Sequence, residues 1–477
     1  MSSPTVTMYG TLLHRYTGLD PLDPRAYGRR QSIDPWLPLI RKSSGLGDAH
    51  MWKHGKGQLW RVLPLLCTGL LFLTPVQPRV QVAHAALAPA DLAIRFEALL
   101  GQHSVLAADL MRSRIRGDDD FVQAANTALG RNTKDMAALV GQLFGTGTAD
   151  KFSPLWSEHI VELVAYAGAL AARDDKAKGD ALHELTEYEV ELGDFFAGAS
   201  HGRLSPAAAR QAVVAHVGHL TGQADAYAAG DYATADDLYR MGYQHTYDLG
   251  LTLAEALLPA ADAATLREPL WRLRSQLGKL LAEHAVLVED LTRAAVTNTP
   301  DFAASGDMIN GNTRDLAAAM DTLFGPAAAR QFQSLWADHV EQLVAYAQGN
   351  KDSARTAMAG IERKLGTFLS GATGERIATG RLTAALQQHD TMLMRHADAY
   401  AGKDYATAHD VAYQTYQEMF DLARTMADAF GASVAARLPR GGAQTGYGGM
   451  ATVVAARPQT GFDGMATVVA SSPRPGR

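Results

Sequence analysis

The chain is written twice. LLGQHSVLAADL (99–110) returns as LLAEHAVLVEDL (280–291), GRNTKDMAALVGQLFG (130–145) as NGNTRDLAAAMDTLFG (310–325), and SPLWSEHIVELVAYA (153–167) as QSLWADHVEQLVAYA (333–347). A fourth block, DAYAAGDYATADD (225–237), returns as DAYAGKDYATAHD (398–410). The offset drifts from 181 through 180 to 173, so small insertions separate the blocks. The repeated unit is roughly 170 residues, too long for one module of a solenoid and long enough to hold its own core.

Nearly every block carries apolar residues at i, i+3, i+4 and i+7 and is rich in Ala and Leu, which is the pattern of amphipathic helices. The breaks fall at Ser205-Pro206, Gly230-Asp231, Gly325-Pro326 and Gly349-Asn350, which read as helix starts and stops. Before the C-terminal tail no stretch alternates as a half-buried strand does. The expected fold class is all-α: two tandem homologous helical bundles of about six helices each, over 88–258 and 262–435. The connecting PAADAATLREP (259–269) contains little that looks buried, so each bundle is expected to fold alone. Residues 436–477 hold a 15-residue Gly/Pro-rich repeat, TGYGGMATVVAARPQ then TGFDGMATVVASSPR, and read as a disordered tail. The tail has no LPxTG motif for wall anchoring.

The N-terminal part differs in charge. Residues 1–85 hold ten Lys/Arg and four Asp/Glu, a net of +6, while 86–477 hold 34 and 46, a net of -12. An acidic body with no basic stripe argues against nucleic acid as a partner. Arg61, an apolar run from Val62 to Val76 and then Ala83-His84-Ala85 follow the order of a secretory signal. A run of about 14 apolar residues is short for a membrane span, so 51–85 reads as a signal peptide cleaved after Ala85, touching the membrane only in transit. Met51 is a natural start, which makes 1–50 a non-structural extension. The expected location is secreted or cell-envelope associated, by the general secretory route. The one cysteine, Cys67, lies in this signal and lacks a lipobox, so the mature chain has neither disulfides nor thiolate ligands.

The chemistry rests on histidines. His103 projects from a stripe of Leu99, Leu100, Leu106 and Leu110; His159 from Leu155, Trp156, Leu163 and Tyr166; His216 from Val213 and Leu220. The second copy repeats this with His284, His339 and His389. A lone histidine on an apolar stripe is ordinarily a core residue satisfied by one hydrogen bond. Three matched pairs on different helices fit a shared inward site, the way bundles build metal centres from facing helices. A fourth helix offers His245 with Asp248 in the first copy and Glu418 in the second. The fifth helix adds His219 to the first copy, and Met392 and His396 to the second. His-Met-His suits copper, whereas His with carboxylate suits zinc or iron. A histidine binds only when deprotonated, so affinity is expected to fall as pH drops through roughly 6.5. Asn132 with Asp135, and Asn312 with Asp315, read either as helix caps with Thr133 and Thr313 or as groups orienting a histidine. In the Leu-Trp-x-acid-His motif the Trp packs, the His points inward and the acid faces outward or towards a neighbouring helix.

Leu-Trp-x-(Glu/Asp)-His with an upstream Asn-Thr-x-Asp resembles uncharacterised secreted helical-repeat proteins of Gram-positive bacteria, over roughly 88–435. The resemblance implies an all-α fold outside the membrane and supplies no catalytic residues. HExxH, GxSxG, P-loop, dinucleotide and CxxCH signatures are absent. The leading expectation is an exported protein that binds, buffers or stores copper, zinc or iron, with catalysis left open. The alternative is a structural or interaction module of the cell envelope without metal, and a metal-dependent enzyme stands third.

Overall fold

The computed structural model describes residues 88–437 apart from 119 and 121–123. The expected extension, signal peptide and all but the start of the tail lie outside the described residues. The described chain is all-helical. In order, the helices are α1 (Pro89–Arg116), α2 (Asn126–Phe144), α3 (Thr146–Ala172), α4 (Asp175–Ala199), α5 (Pro206–Ala229), α6 (Tyr232–Leu257), the short α7 (Ala260–Thr265), α8 (Pro269–Thr297), α9 (Phe302–Phe324), α10 (Pro326–Ala347), α11 (Lys351–Ala372), α12 (Thr379–Ala401) and α13 (Tyr405–Arg437). No described helix is long and apolar enough to cross a membrane.

Local chemistry sets the boundaries. The side chains of Asp174, Ser205 and Asp231 accept hydrogen bonds from the backbone N–H of Ala177, Ala208 and Thr234, which satisfies donors that a helix start leaves free. Gly230 closes α5 with a φ of 80°, a left-handed conformation that costs a glycine nothing. The breaks expected from sequence all fall between helices.

Consecutive long helices pack on one another, and α1 and α8 are central. α1 touches α2, α3, α5 and α6, and α8 touches α9, α10, α12 and α13. Residues 281–294 of α8 are buried on every side, although the stretch includes Glu283, His284, Glu289, Asp290 and Arg293. α1 matches it with buried Glu97, Gln102, His103 and Arg112. One apolar core draws on both halves of the chain, from Phe96 to Phe430.

The two halves also exchange equivalent hydrogen bonds. Tyr243 Oη donates to Lys279 O (2.9 Å) and Tyr416 Oη to Ala98 O (2.8 Å). Tyr227 Oη donates to Asp301 Oδ2 (2.7 Å) and Tyr400 Oη to Asp120 Oδ2 (2.9 Å). Arg112 is almost fully buried, held by Asp236 at 2.8 Å, Gln223 at 2.9 Å and the Ala235 carbonyl at 3.0 Å. The connection between the halves is not the bare linker expected from its composition. Ala263 and Leu266 are buried with Leu258, Trp271 and Ala93 in a small second core, because the short α7 turns Ala263 inward and ends at Leu266. Tyrosines that satisfy themselves across the halves, together with a shared core, oppose the expectation that either half folds unaided.

Close helix packing yields the first prediction. A Cβ on Gly250 of α6 would lie 2.6 Å from Glu97 Cα of α1, whereas one on Gly218 of α5 meets nothing within 4 Å. Gly250→Ala should destabilise the protein by about 1–3 kcal/mol, since backbone must move to accept it. Gly218→Ala should stabilise it by about 0.5–1 kcal/mol through helix propensity. Chemical denaturation of the two variants checks both signs.

Candidate metal centres

Six of the expected histidines gather into two triads. His103 on α1, His159 on α3 and His216 on α5 form the first; His284 on α8, His339 on α10 and His389 on α12 form the second. Within each triad one ring nitrogen per residue lies within 4.8 Å of the others. Among the described residues no other three His, Cys, Asp or Glu converge in this way. Ring centroids in the first triad stand 5.0, 5.5 and 6.1 Å apart, and in the second 5.4, 5.9 and 6.1 Å. An ion about 2.0 Å from each of three nitrogens sets those nitrogens about 3.3 Å apart. The shortest approach, 2.9 Å between His103 Nε2 and His159 Nε2, needs only a slight opening to reach that spacing.

The motif carried inside α3 and α10 explains the placement. In SPLWSEH and QSLWADH the Trp and His are buried and the intervening Glu158 and Asp338 are exposed. Trp156 rests 4.4 Å from the His103 ring and Trp336 4.6 Å from the His284 ring. Trp336 Nε1 donates to His284 Nδ1 at 3.1 Å, whereas Trp156 Nε1 finds no partner. Asn132 and Asn312 are not caps, because both sit inside helices and donate to the central ones. Asn132 reaches Leu99 O and Gln102 Oε1 at 3.0 and 3.2 Å. Asn312 reaches Leu280 O and Glu283 Oε2 at 2.9 and 2.8 Å. They therefore lock the helix one residue before His103 and His284.

All six side chains are at most 2 % exposed. Burial holds His103, His216 and His284 well below the usual imidazole range, and neighbouring histidines push the same way. Burial lowers His159 to about 3 against an opposing contact with the Trp156 backbone, and lowers His389 to about 4 against the pull of Asp390. These five rings are neutral at pH 7, the form that carries a free lone pair. Neither ring nitrogen of His216 or His389 has a hydrogen-bond partner. A core histidine is ordinarily retained by such a bond, so these two lack the usual structural reason for being buried.

The remaining expected ligands lie outside the triads. His219 sits one turn beyond His216 and faces His245, with ring centroids 5.4 Å apart. His245 does not complete the first triad, because its Nε2 is bonded to Ala212 O at 3.0 Å. Asp248 pairs with Lys279 at 2.7 Å in a largely solvated position. Glu418 accepts a hydrogen bond from Gln388, and Met392 is half-buried. His396 lines a separate polar cavity of about 60 Å³ with Asp109, Asp120, Glu289, Arg293 and His409. Shared helix faces had suggested convergence, but the residues of α6 and α13 turn to partners of their own.

Two groups at the sites were missed. Asp390, 1 % exposed, bonds His339 Nε2 at 2.7 Å. Tyr188 stacks on His159 at 4.5 Å, with its hydroxyl unpartnered. The signal for Asp390 was present: the offset of 173 that pairs His216 with His389 pairs Val217 with Asp390, a break in an otherwise apolar position. No protein-family model, curated protein or solved structure matches this chain.

Removing unpartnered polar atoms from a core should not weaken it. His216→Leu is therefore expected to leave stability at pH 7.5 unchanged or to raise it by up to about 2 kcal/mol. A loss exceeding about 1 kcal/mol would make the imidazole a structural member. The pH dependence carries a second signature. The folded-state value of His216 is depressed, so only the unfolded chain takes up its proton just below pH 6.5. The stability associated with a neutral His216 is complete above that pH and is lost as pH falls towards the folded value. His216→Leu should flatten the acid limb by up to about 1.4 kcal/mol per pH unit.

Proposed function

We propose that this chain is a metal-binding protein that holds one ion in each histidine triad, for binding, buffering or storage outside the cytoplasm. The observation that carries the reading is the pair of buried triads in which His216 and His389 have no other partner. Three imidazoles from three helices are a donor set for copper or zinc, and Asp390 beside the second triad widens the choice to iron. Full enclosure by Trp, Leu and neighbouring rings favours holding an ion over turning over a substrate. Each triad belongs to its own six-helix bundle, and the two bundles are copies docked through the tyrosine contacts. Export rests on the signal-like sequence of 61–85, and the cell-envelope context on the same stretch and the Leu-Trp-x-acid-His resemblance.

A structural module of the cell envelope is the second reading. It draws on His339, whose Nε2 is satisfied by Asp390, and on His284, whose Nδ1 is satisfied by Trp336. It leaves His216 and His389 without explanation.

Metal analysis of untagged full-length protein should find up to two ions per chain. Saturating copper or zinc should raise the apo melting temperature, by an amount equivalent to about 2.7 kcal/mol at one hundred times Kd. His159→Ala should remove one equivalent and His339→Ala the other. Because burial depresses the ring values, protons compete less than they do with a free imidazole. Binding should therefore persist at pH 5.5 rather than fading through 6.5. A melting temperature that no tested metal raises sinks the proposal and leaves the envelope-module reading.

A further inference from the structure

The triads are built alike and differ by one charge. No carboxylate is hydrogen-bonded to His103, His159 or His216: their ring nitrogens meet only one another, in the His103–His159 contact, or nothing. Their walls are aromatic, with Trp156 at 4.4 Å from His103 and Tyr188 stacked on His159 at 4.5 Å. In the second triad Asp390 touches His339 at 2.7 Å, and its Oδ2 has no partner. Glu362, also buried, is pushed up by burial first and by Asp390 second.

Resting on the metal reading above, we propose that the sites are matched to ions of different charge. The triad of His103, His159 and His216 takes a soft monovalent cation. The triad of His284, His339 and His389 takes a divalent cation with Asp390 as its counter-charge. The reason is the cost of placing charge where water cannot follow. That cost is large for one unit charge, and it grows with the square of the net charge. Neutral imidazoles donate lone pairs but cancel nothing. A monovalent ion in the first site leaves one net charge, and a divalent ion would leave two, at about four times the cost. In the second site a divalent ion and one carboxylate again leave a single charge. Asp390 acts in either orientation of His339. With Nε2–H held on the carboxylate, the unpartnered Nδ1 carries the lone pair, a carboxylate–histidine–metal arrangement. With Nε2 turned to the ion, the carboxylate itself comes within reach of the metal.

A carboxylate about 6 Å from an ion, at an effective dielectric constant of about 20, favours a divalent over a monovalent ion by roughly 100-fold. Redox-inert probes, Zn²⁺ and Ag⁺, can be titrated into the untagged full chain and three variants. His339→Ala leaves the first triad intact and should prefer Ag⁺. His159→Ala leaves the second intact and should hold Zn²⁺ tightly. Asp390→Asn, nearly isosteric, should lower the ratio of Zn²⁺ to Ag⁺ affinity at the second site by about 100-fold. Val217→Asp in the His339→Ala background should shift the first site towards Zn²⁺. The inference is overturned if His159→Ala and His339→Ala show the same Zn²⁺ to Ag⁺ ratio, or if Asp390→Asn leaves the ratio unchanged. If an alanine variant fails to fold, Asp390→Asn alone decides, through loss of the tight Zn²⁺ equivalent of the whole chain. Wild-type protein that binds neither ion refutes the metal reading itself. Binding without discrimination refutes only the matching.

Discussion

Everything in this fold answers to two helices whose central stretches have almost no solvated face. α1 and α8 are enclosed by other helices, yet they carry Glu97, His103, Arg112, Glu283, His284 and Arg293. A buried polar group costs free energy unless something meets it. The surrounding helices therefore supply donors and acceptors: Asn312 and, from the other half, Arg240 at Glu283, and Asp236 and Gln223 at Arg112. The packing order of the outer helices follows from this, since each must deliver a particular group to a particular turn. The triads are the places where that matching was left incomplete.

The legible part of the sequence was whatever a single helix face can encode. Period, break points and duplication specify an all-helical chain, and they place His103, His159, His216 and their counterparts on inward stripes. Facing inward was enough for those six, because the first, third and fifth long helices of each half meet. It was not enough for His245 and Glu418. Their helix also packs on the central one, but its inward positions there are taken by Tyr243, Tyr247 and Tyr416. The tyrosines themselves read as ordinary core aromatics, because a hydroxyl that ends on the other half's carbonyl leaves no trace in local spacing. The buried charges were harder still. Arg112 and Arg293 lie near the ends of α1 and α8, and nothing in local spacing shows that Asp236 and Asp301 will meet them.

The metal reading gains weight from an asymmetry in how histidines are kept in cores. His284 and His339 each have a partner that an envelope module could equally require. His216 and His389 do not, and a leucine of similar size would fill either place without leaving two polar atoms dry. Their location at the same position in both halves makes the cost systematic rather than incidental. Sites that bind ions commonly carry such a local penalty in the empty state, because ligands arranged for a cation are poorly arranged for one another.

The reciprocal tyrosine bonds have a consequence for how the two sites can vary. Tyr243 to Lys279 and Tyr416 to Ala98 are the same contact drawn in both directions, the signature of an isologous pairing such as two identical chains would make. Two identical subunits inherit every substitution in duplicate, so an acid that suits one pocket is imposed on both. Joining the pair in one polypeptide removes that tie. Valine at 217 and aspartate at 390 can then coexist on a single frame, each tuned while the other is left untouched.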